Sequence, residues 1–114
     1  MKILVVDDEE IKRVSLVDDL VNAGFETASA SDGQEAIDLL DQESFDIVVT
    51  DIRMPNISGI ELLKHIKNNG YAEIEVIMMT AYGSIPLAVE AIKLGAYNFI
   101  TKPFRNEDLI PLLE

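Results

Sequence analysis

Cysteine is absent from this chain of 114 residues. No disulfide can therefore hold the fold, which fits a cytoplasmic address, because disulfides persist in oxidising compartments. No apolar run approaches the ~20 residues that a membrane-spanning helix needs. The start, Met1-Lys2-Ile3-Leu4-Val5-Val6, is too short an apolar run for a signal peptide, and acids follow it directly. Basic residues are scarce: 9 Lys and Arg stand against 21 Asp and Glu, for a net charge of −12. That balance argues against direct nucleic-acid contact by this segment, because phosphate backbones are neutralised by Lys and Arg. Low-complexity tracts, internal repeats and linkers rich in Pro, Gly or Ser are also missing. What is present, 48% hydrophobic and 26% charged residues, is an ordinary globular composition. The length allows one compact domain with a real core and is too small for two.

Short apolar runs alternate with segments of helical period. Ile3–Val6 reads as a first strand, followed by a helix in which Ile11, Val14, Val17, Leu20 and Val21 recur at helical spacing and Gly24 marks the stop. Phe25–Ala30 is a weaker second strand. Asp32-Gly33-Gln34-Glu35 has the form of a capping box, opening a short helix with Ala36, Ile37 and Leu40 inward. Phe45–Asp51 is a third strand, apolar enough to be buried on both faces of a parallel sheet. Ser58-Gly59-Ile60-Glu61 is a second capping box, and its helix buries Leu62, Leu63 and Ile66 before Asn69-Gly70.

Ile74–Thr80 is the fourth strand. After Gly83-Ser84, Pro86 suits the first turn of a fourth helix with a small face of Ala88, Ala91, Ile92 and Gly95. Asn98–Thr101 is a short fifth strand, and Asn106 is expected to cap a last helix carrying Leu109, Leu112 and Leu113. Pro111 lacks a backbone donor, so that helix is either kinked or starts later. Five strands alternating with five helices predict an α/β fold, a doubly wound (βα)5 parallel sheet of flavodoxin-like type. His65 lies on the third helix and reads as a surface residue.

The polar residues at the strand exits are the informative ones. The first strand ends in Asp7-Asp8, the third in Asp51, the fourth in Thr80 and the fifth in Lys102-Pro103. In a parallel sheet these exits share one edge, and if the strand order is 2-1-3-4-5 a ligand crevice is expected between strands one and three. Three clustered carboxylates are costly unless neutralised. Mg²⁺ suits the task, since it takes oxygen ligands and keeps several waters. Asp8 and Asp51 would be direct ligands, Asp7 a direct or water-mediated one, and the Arg53 carbonyl a further oxygen. An acid nucleophile, a divalent cation, a hydroxyl and an ammonium can together stabilise a phosphoryl group in transfer. Taken singly, each residue has a plainer role: Asp7 and Asp8 as helix caps, Asp51 as a turn aspartate, Thr80 as a strand-end residue, Lys102 as a solvated lysine. Those plain roles would have to hold together at four strand ends.

The motifs Asp7-Asp8-Glu9, Asp51-Ile52-Arg53-Met54-Pro55 with Ser58-Gly59, Met79-Thr80-Ala81 and Thr101-Lys102-Pro103-Phe104 resemble those of response-regulator receiver domains of bacterial two-component signalling. The likeness covers essentially residues 1–114 as one domain. It implies that Asp51 accepts a phosphoryl group from a sensor histidine kinase, with Mg²⁺ on Asp7, Asp8 and Asp51. It also implies that Thr80 bonds the phosphoryl oxygen, Lys102 pairs with it and Lys102-Pro103 is cis. Phe99 falls at the switch aromatic, moving inward with Thr80 to reshape the surface of the fourth helix, fifth strand and fifth helix; its plainer role is a core aromatic. The runs Met79–Gly83 and Ala88–Tyr97 further resemble receivers of nitrogen-regulator-type activators of sigma-54 polymerase, in which an ATPase output domain and a DNA-binding domain follow. The last helix reads as cut short, as in a receiver excised from such a chain. Homodimerisation through the fourth helix, fifth strand and fifth helix is plausible by the same likeness.

On this reading the chain is a signalling switch with only self-phosphorylation and self-dephosphorylation chemistry. A haloacid-dehalogenase-type phosphatase also uses a strand-end Asp and Mg²⁺, but expects an acid two residues later, where Arg53 stands. A flavodoxin-like binding module needs Gly, Ser or Thr donors after the first strand, where Asp7-Asp8-Glu9 would repel a phosphate. A receiver that signals without phosphorylation is disfavoured by the complete set of site residues.

Overall fold

The computed structural model describes residues 1–71, 73–81 and 85–113. In chain order the elements are β1 (Lys2–Val6), α1 (Glu10–Asn22), β2 (Glu26–Ala30), α2 (Gly33–Gln42) and β3 (Ile47–Asp51). They continue with α3 (Gly59–Asn68), β4 (Glu75–Ala81), α4 (Ile85–Lys93), β5 (Asn98–Lys102) and α5 (Asn106–Leu113). All four strand pairings are parallel, as the strand pattern predicts, and the order is β2-β1-β3-β4-β5, the flavodoxin-like order expected of a doubly wound sheet with a crevice between β1 and β3.

The period-two alternation of a strand sends neighbouring side chains to opposite faces, and here both faces are covered. Leu4, Val6, Val48, Val76 and Met78 join Leu62, Leu63, Ile66, Ala88 and Ala91 in one core beneath α2, α3 and α4. Ile3, Val5, Val49, Ile77 and Met79 join Leu16, Leu20, Leu109 and Leu113 in a second beneath α1 and α5. Every residue of β3 is buried, as a central strand with two covered faces requires. Truncating a fully buried leucine such as Leu63 to alanine would cost about 2–5 kcal/mol.

The caps form largely as the residue types predict. Ser58 and Glu61 make a reciprocal capping box at α3. At α2 only half of one forms: the Asp32 carboxylate accepts from the Glu35 backbone N–H, while the Glu35 carboxylate takes the Ser31 hydroxyl. Gly24, Gly70 and Gly95 all have positive φ, each just past the end of a helix, where a left-handed residue is needed.

Several local features differ from the pattern expected of the residue order. In α1 the buried residues are Leu16 and Leu20, flanked by half-buried Arg13 and Val17; Ile11, Val14 and Val21 are 86%, 51% and 52% exposed. The helix carries two apolar stripes, and the sheet covers only one. Asn106 does not cap α5. Its side-chain amide donates across to Asp19 (2.6 Å) and Ser15 (3.3 Å) of α1, while the Asp108 carboxylate accepts from the Arg105 N–H at 3.2 Å. The helix begins at Asn106 and runs through Pro111 to Leu113, rather than starting later. His65 is half-buried rather than on the surface, and its Nε2 is buried without a partner among the described residues. The small face of α4 buries Ala88 and Ala91, while Ile92 is 40% exposed. Gly83 and Ser84 lie outside the described residues.

Candidate functional site

Asp7, Asp51, Thr80 and Lys102 all stand at the carboxyl ends of their strands, on one edge of the sheet. Register explains the placement. Asp51 lies beside Met79 of β4, and Thr80 and Ala81 lie beside Thr101 and Lys102 of β5, while the β1–β3 ladder ends at Val6 and Thr50. The acids thus emerge at the point where pairing stops.

Asp7 is buried and held on several atoms. Its N–H donates to the Ala30 carbonyl at 3.2 Å, and its Oδ1 accepts from the Glu9 N–H at 2.9 Å. Its backbone carbonyl accepts from Arg13 Nη1 at 2.8 Å. Asp51 is 7% exposed, and Lys102 Nζ lies 2.6 Å from its Oδ1 and 3.8 Å from Asp7 Oδ2. Asp8 is exposed, yet one carboxylate oxygen each from Asp7, Asp8 and Asp51 lie within 4.8 Å of one another. The Lys102–Pro103 peptide bond is cis.

Such crowding shows in the proton affinities. Burial, then the hydrogen bond with Asp7 and that residue's charge, push Asp51 up to about 7, against the opposing pull of Lys102. Burial draws the Lys102 ammonium down, but its hydrogen bond to Asp51 and the charges of Asp51, Asp7 and Glu9 outweigh that and raise it. Three carboxylates against one ammonium leave two negative charges uncompensated when all are ionised. The donors are all oxygens, so the set fits a hard divalent cation.

A crevice of about 440 Å³ opens over these acids, bordered by Asp8, Glu9, Lys12, Asp51, Arg53 and Lys102. Arg53 is exposed at its rim. Thr80 is 1% exposed, and its hydroxyl donates to the Ala81 carbonyl at 3.1 Å. Asp7, Asp8, Asp51 and Lys102 are therefore brought together, whereas the Thr80 hydroxyl is satisfied locally. Phe99 is half-buried, beside Met78 in register and packed against the core beneath α4.

Two further residues, Gly59 and Thr50, shape the site from beneath without belonging to its set of charged groups. Gly59 opens α3 hard against the end of β3: its N–H donates to the Ile52 carbonyl at 2.7 Å, and a Cβ there would lie 2.1 Å from the Asp51 carbonyl oxygen. Thr50, fully buried, donates its hydroxyl to the Asp51 carbonyl at 3.0 Å. The hydroxyl inside an otherwise apolar run is the signal that could have singled it out.

The profile of the response regulator receiver domain family matches residues 3–114. The transcriptional regulatory protein FixJ of Bradyrhizobium diazoefficiens is 44% identical over 98% of this chain and 54% of its own length. The chemotaxis protein CheY of Bacillus subtilis is 39% identical, covering 96% of this chain and 91% of that protein. Among solved structures, the receiver domain of NtrX from Brucella abortus superposes with a TM-score of 0.91 at 36% identity, covering 97% of this chain and 93% of that one. The chain spans about half the length of FixJ and about a quarter of several other curated relatives. With its sheet order, its acid-lined edge and these matches together, the chain belongs to the response-regulator receiver-domain family of two-component signalling.

Proposed function

We propose that this receiver accepts a phosphoryl group on Asp51 from the phosphohistidine of a sensor histidine kinase. An Oδ atom of Asp51 attacks phosphorus, the P–N bond to the kinase imidazole breaks with its electrons returning to the ring, and an acyl phosphate forms. Asp7, Asp8, Asp51 and the Arg53 carbonyl would hold Mg²⁺, which when bound supplies charge neutralisation for the transferring oxygens. Lys102 holds Asp51 in the ground state and pairs with a phosphoryl oxygen afterwards. Thr80 exchanges its bond to the Ala81 carbonyl for a phosphoryl oxygen. Phe99 follows inward, and the α4-β5-α5 surface changes with it. Attack of water on the acyl phosphate ends the signal, so the domain turns over nothing but its own phosphoryl group.

The observation that carries this reading is the convergence of Asp7, Asp8 and Asp51 within 4.8 Å, with Lys102 at 2.6 Å from Asp51. In the same reading residues 1–114 are one receiver domain within a longer cytoplasmic regulator. A kinase is its donor, a sigma-54-activator ATPase domain is its output, and a second copy can pair through the α4-β5-α5 surface. The likeness to FixJ, a transcriptional regulatory protein, favours transcription as the output.

Incubation with radiolabelled acetyl phosphate and Mg²⁺ tests the acceptor. Asp51→Asn should drop labelling to background while the wild-type chain labels. Full labelling of the variant would place the acceptor elsewhere.

A further inference from the structure

Arg13 is the only basic residue on the buried stripe of α1: Arg13, Leu16, Val17 and Leu20 fall three, four and seven residues apart. Its stem runs inward with them, and its Nη1 donates to the Asp7 backbone carbonyl at 2.8 Å. That carbonyl belongs to the peptide plane joining Asp7 to Asp8. Because the plane is rigid, gripping its oxygen fixes the ψ of Asp7 and the direction in which the chain enters Asp8. Asp7 has other anchors, in the Glu9 N–H on its Oδ1 and its own N–H on Ala30. Among the described residues no hydrogen bond or ion pair holds the Asp8 carboxylate, although it faces the other two acids.

We infer that Arg13 is a positioning residue for the acid pair: by holding the Asp7–Asp8 peptide it keeps the Asp8 carboxylate aimed at the cation between Asp7 and Asp51. The inference rests on the proposed Mg²⁺ reading of those acids. It has a sign that charge alone does not share. A guanidinium near a cation site repels the cation, so deleting it tightens binding if charge is all that matters. If Arg13 positions Asp8, deleting it weakens binding.

Calorimetric titration with Mg²⁺ separates the cases in the wild-type chain, Arg13→Ala, Arg13→Gln and Asp8→Asn. Losing a group that orients a metal ligand typically costs about 10–100-fold in metal affinity, so Arg13→Ala should raise the Mg²⁺ Kd by about tenfold or more. Arg13→Gln, which keeps an amide donor, should fall between it and wild type. The Mg²⁺ concentration giving half-maximal acetyl-phosphate labelling should rise by the same factor, with the maximal rate falling less. An unchanged or lower Kd in Arg13→Ala overturns the inference. If thermal melting shows that variant unfolded, Arg13→Gln decides by the same criterion. Absence of Mg²⁺ binding by the wild-type chain, or its survival in Asp8→Asn, would instead refute the Mg²⁺ reading and take the inference with it.

Discussion

The two edges of the sheet carry acids of the same kind with opposite consequences. At the amino edge Lys2 pairs with Glu43, the Lys2 N–H donates to Asp46 at 2.8 Å, and the Tyr71 hydroxyl donates to Asp41 at 2.6 Å. Asp41, Glu43 and Asp46 each have their own partner, lie open to water and are solvated without the others. At the carboxyl edge Asp7, Asp8 and Asp51 converge within 4.8 Å, two of them buried, with Lys102 shared between Asp7 and Asp51. A chain with 21 acids is not thereby full of cation sites. Convergence and burial separate a site from a solvated surface, because only there does one charge raise the cost of the next.

The carboxyl edge is most vulnerable at Gly59. A methyl group there would strike the Asp51 carbonyl oxygen at 2.1 Å, so α3 or the end of β3 must move. Gly59→Ala should destabilise the domain by about 3 kcal/mol, the upper end of the usual cost of overpacking, and lower acetyl-phosphate labelling as well. Urea unfolding alongside a labelling assay checks both.

A second, smaller effect lies in the pH dependence of the metal-free protein. Asp51 rises from its ordinary 3.8 to about 7 in the fold, so between those values the folded chain binds a proton that the unfolded chain has released. Stability from this group is therefore full below about pH 4 and falls as pH rises towards 7. Asp51→Asn lacks that loss. Its melting temperature relative to wild type should become more favourable from pH 5 to pH 8 in chelator, and Mg²⁺ should reverse the trend by favouring the ionised acid. A pH-independent difference would contradict the crowding described here. The smallest effect belongs to the amino edge. Glu43→Gln removes the partner of Lys2 and should cost no more than about 1 kcal/mol, with labelling unchanged.

Much of this was legible from residue order. Apolar runs ending in Asp7-Asp8, Asp51, Thr80 and Lys102 name both the strands and the edge they share, because a buried parallel strand leaves a continuous apolar run and stops at its first charge. The phase of α1 was not legible. Ile11, Val14 and Val21 make a stripe as regular as that of Leu16, Val17 and Leu20, and only the placement of the sheet decides which one is covered. Arg13 was hidden for the same reason, since its role depends on lying on the covered stripe. Asn106 looked like a cap by residue type; the proximity of α1 gave its amide better acceptors in Asp19 and Ser15. Gly59 was visible as part of a capping box, but its close approach to Asp51 is a tertiary fact.

At the centre of the proposed site is one cation shared by acids from two strands. Crystals soaked in Mn²⁺ and measured for anomalous scattering examine that claim directly. It predicts one strong peak enclosed by the carboxylates of Asp7, Asp8 and Asp51, abolished in Asp51→Asn. A peak among Asp41, Glu43 and Asp46, or none at the carboxyl edge, would contradict it.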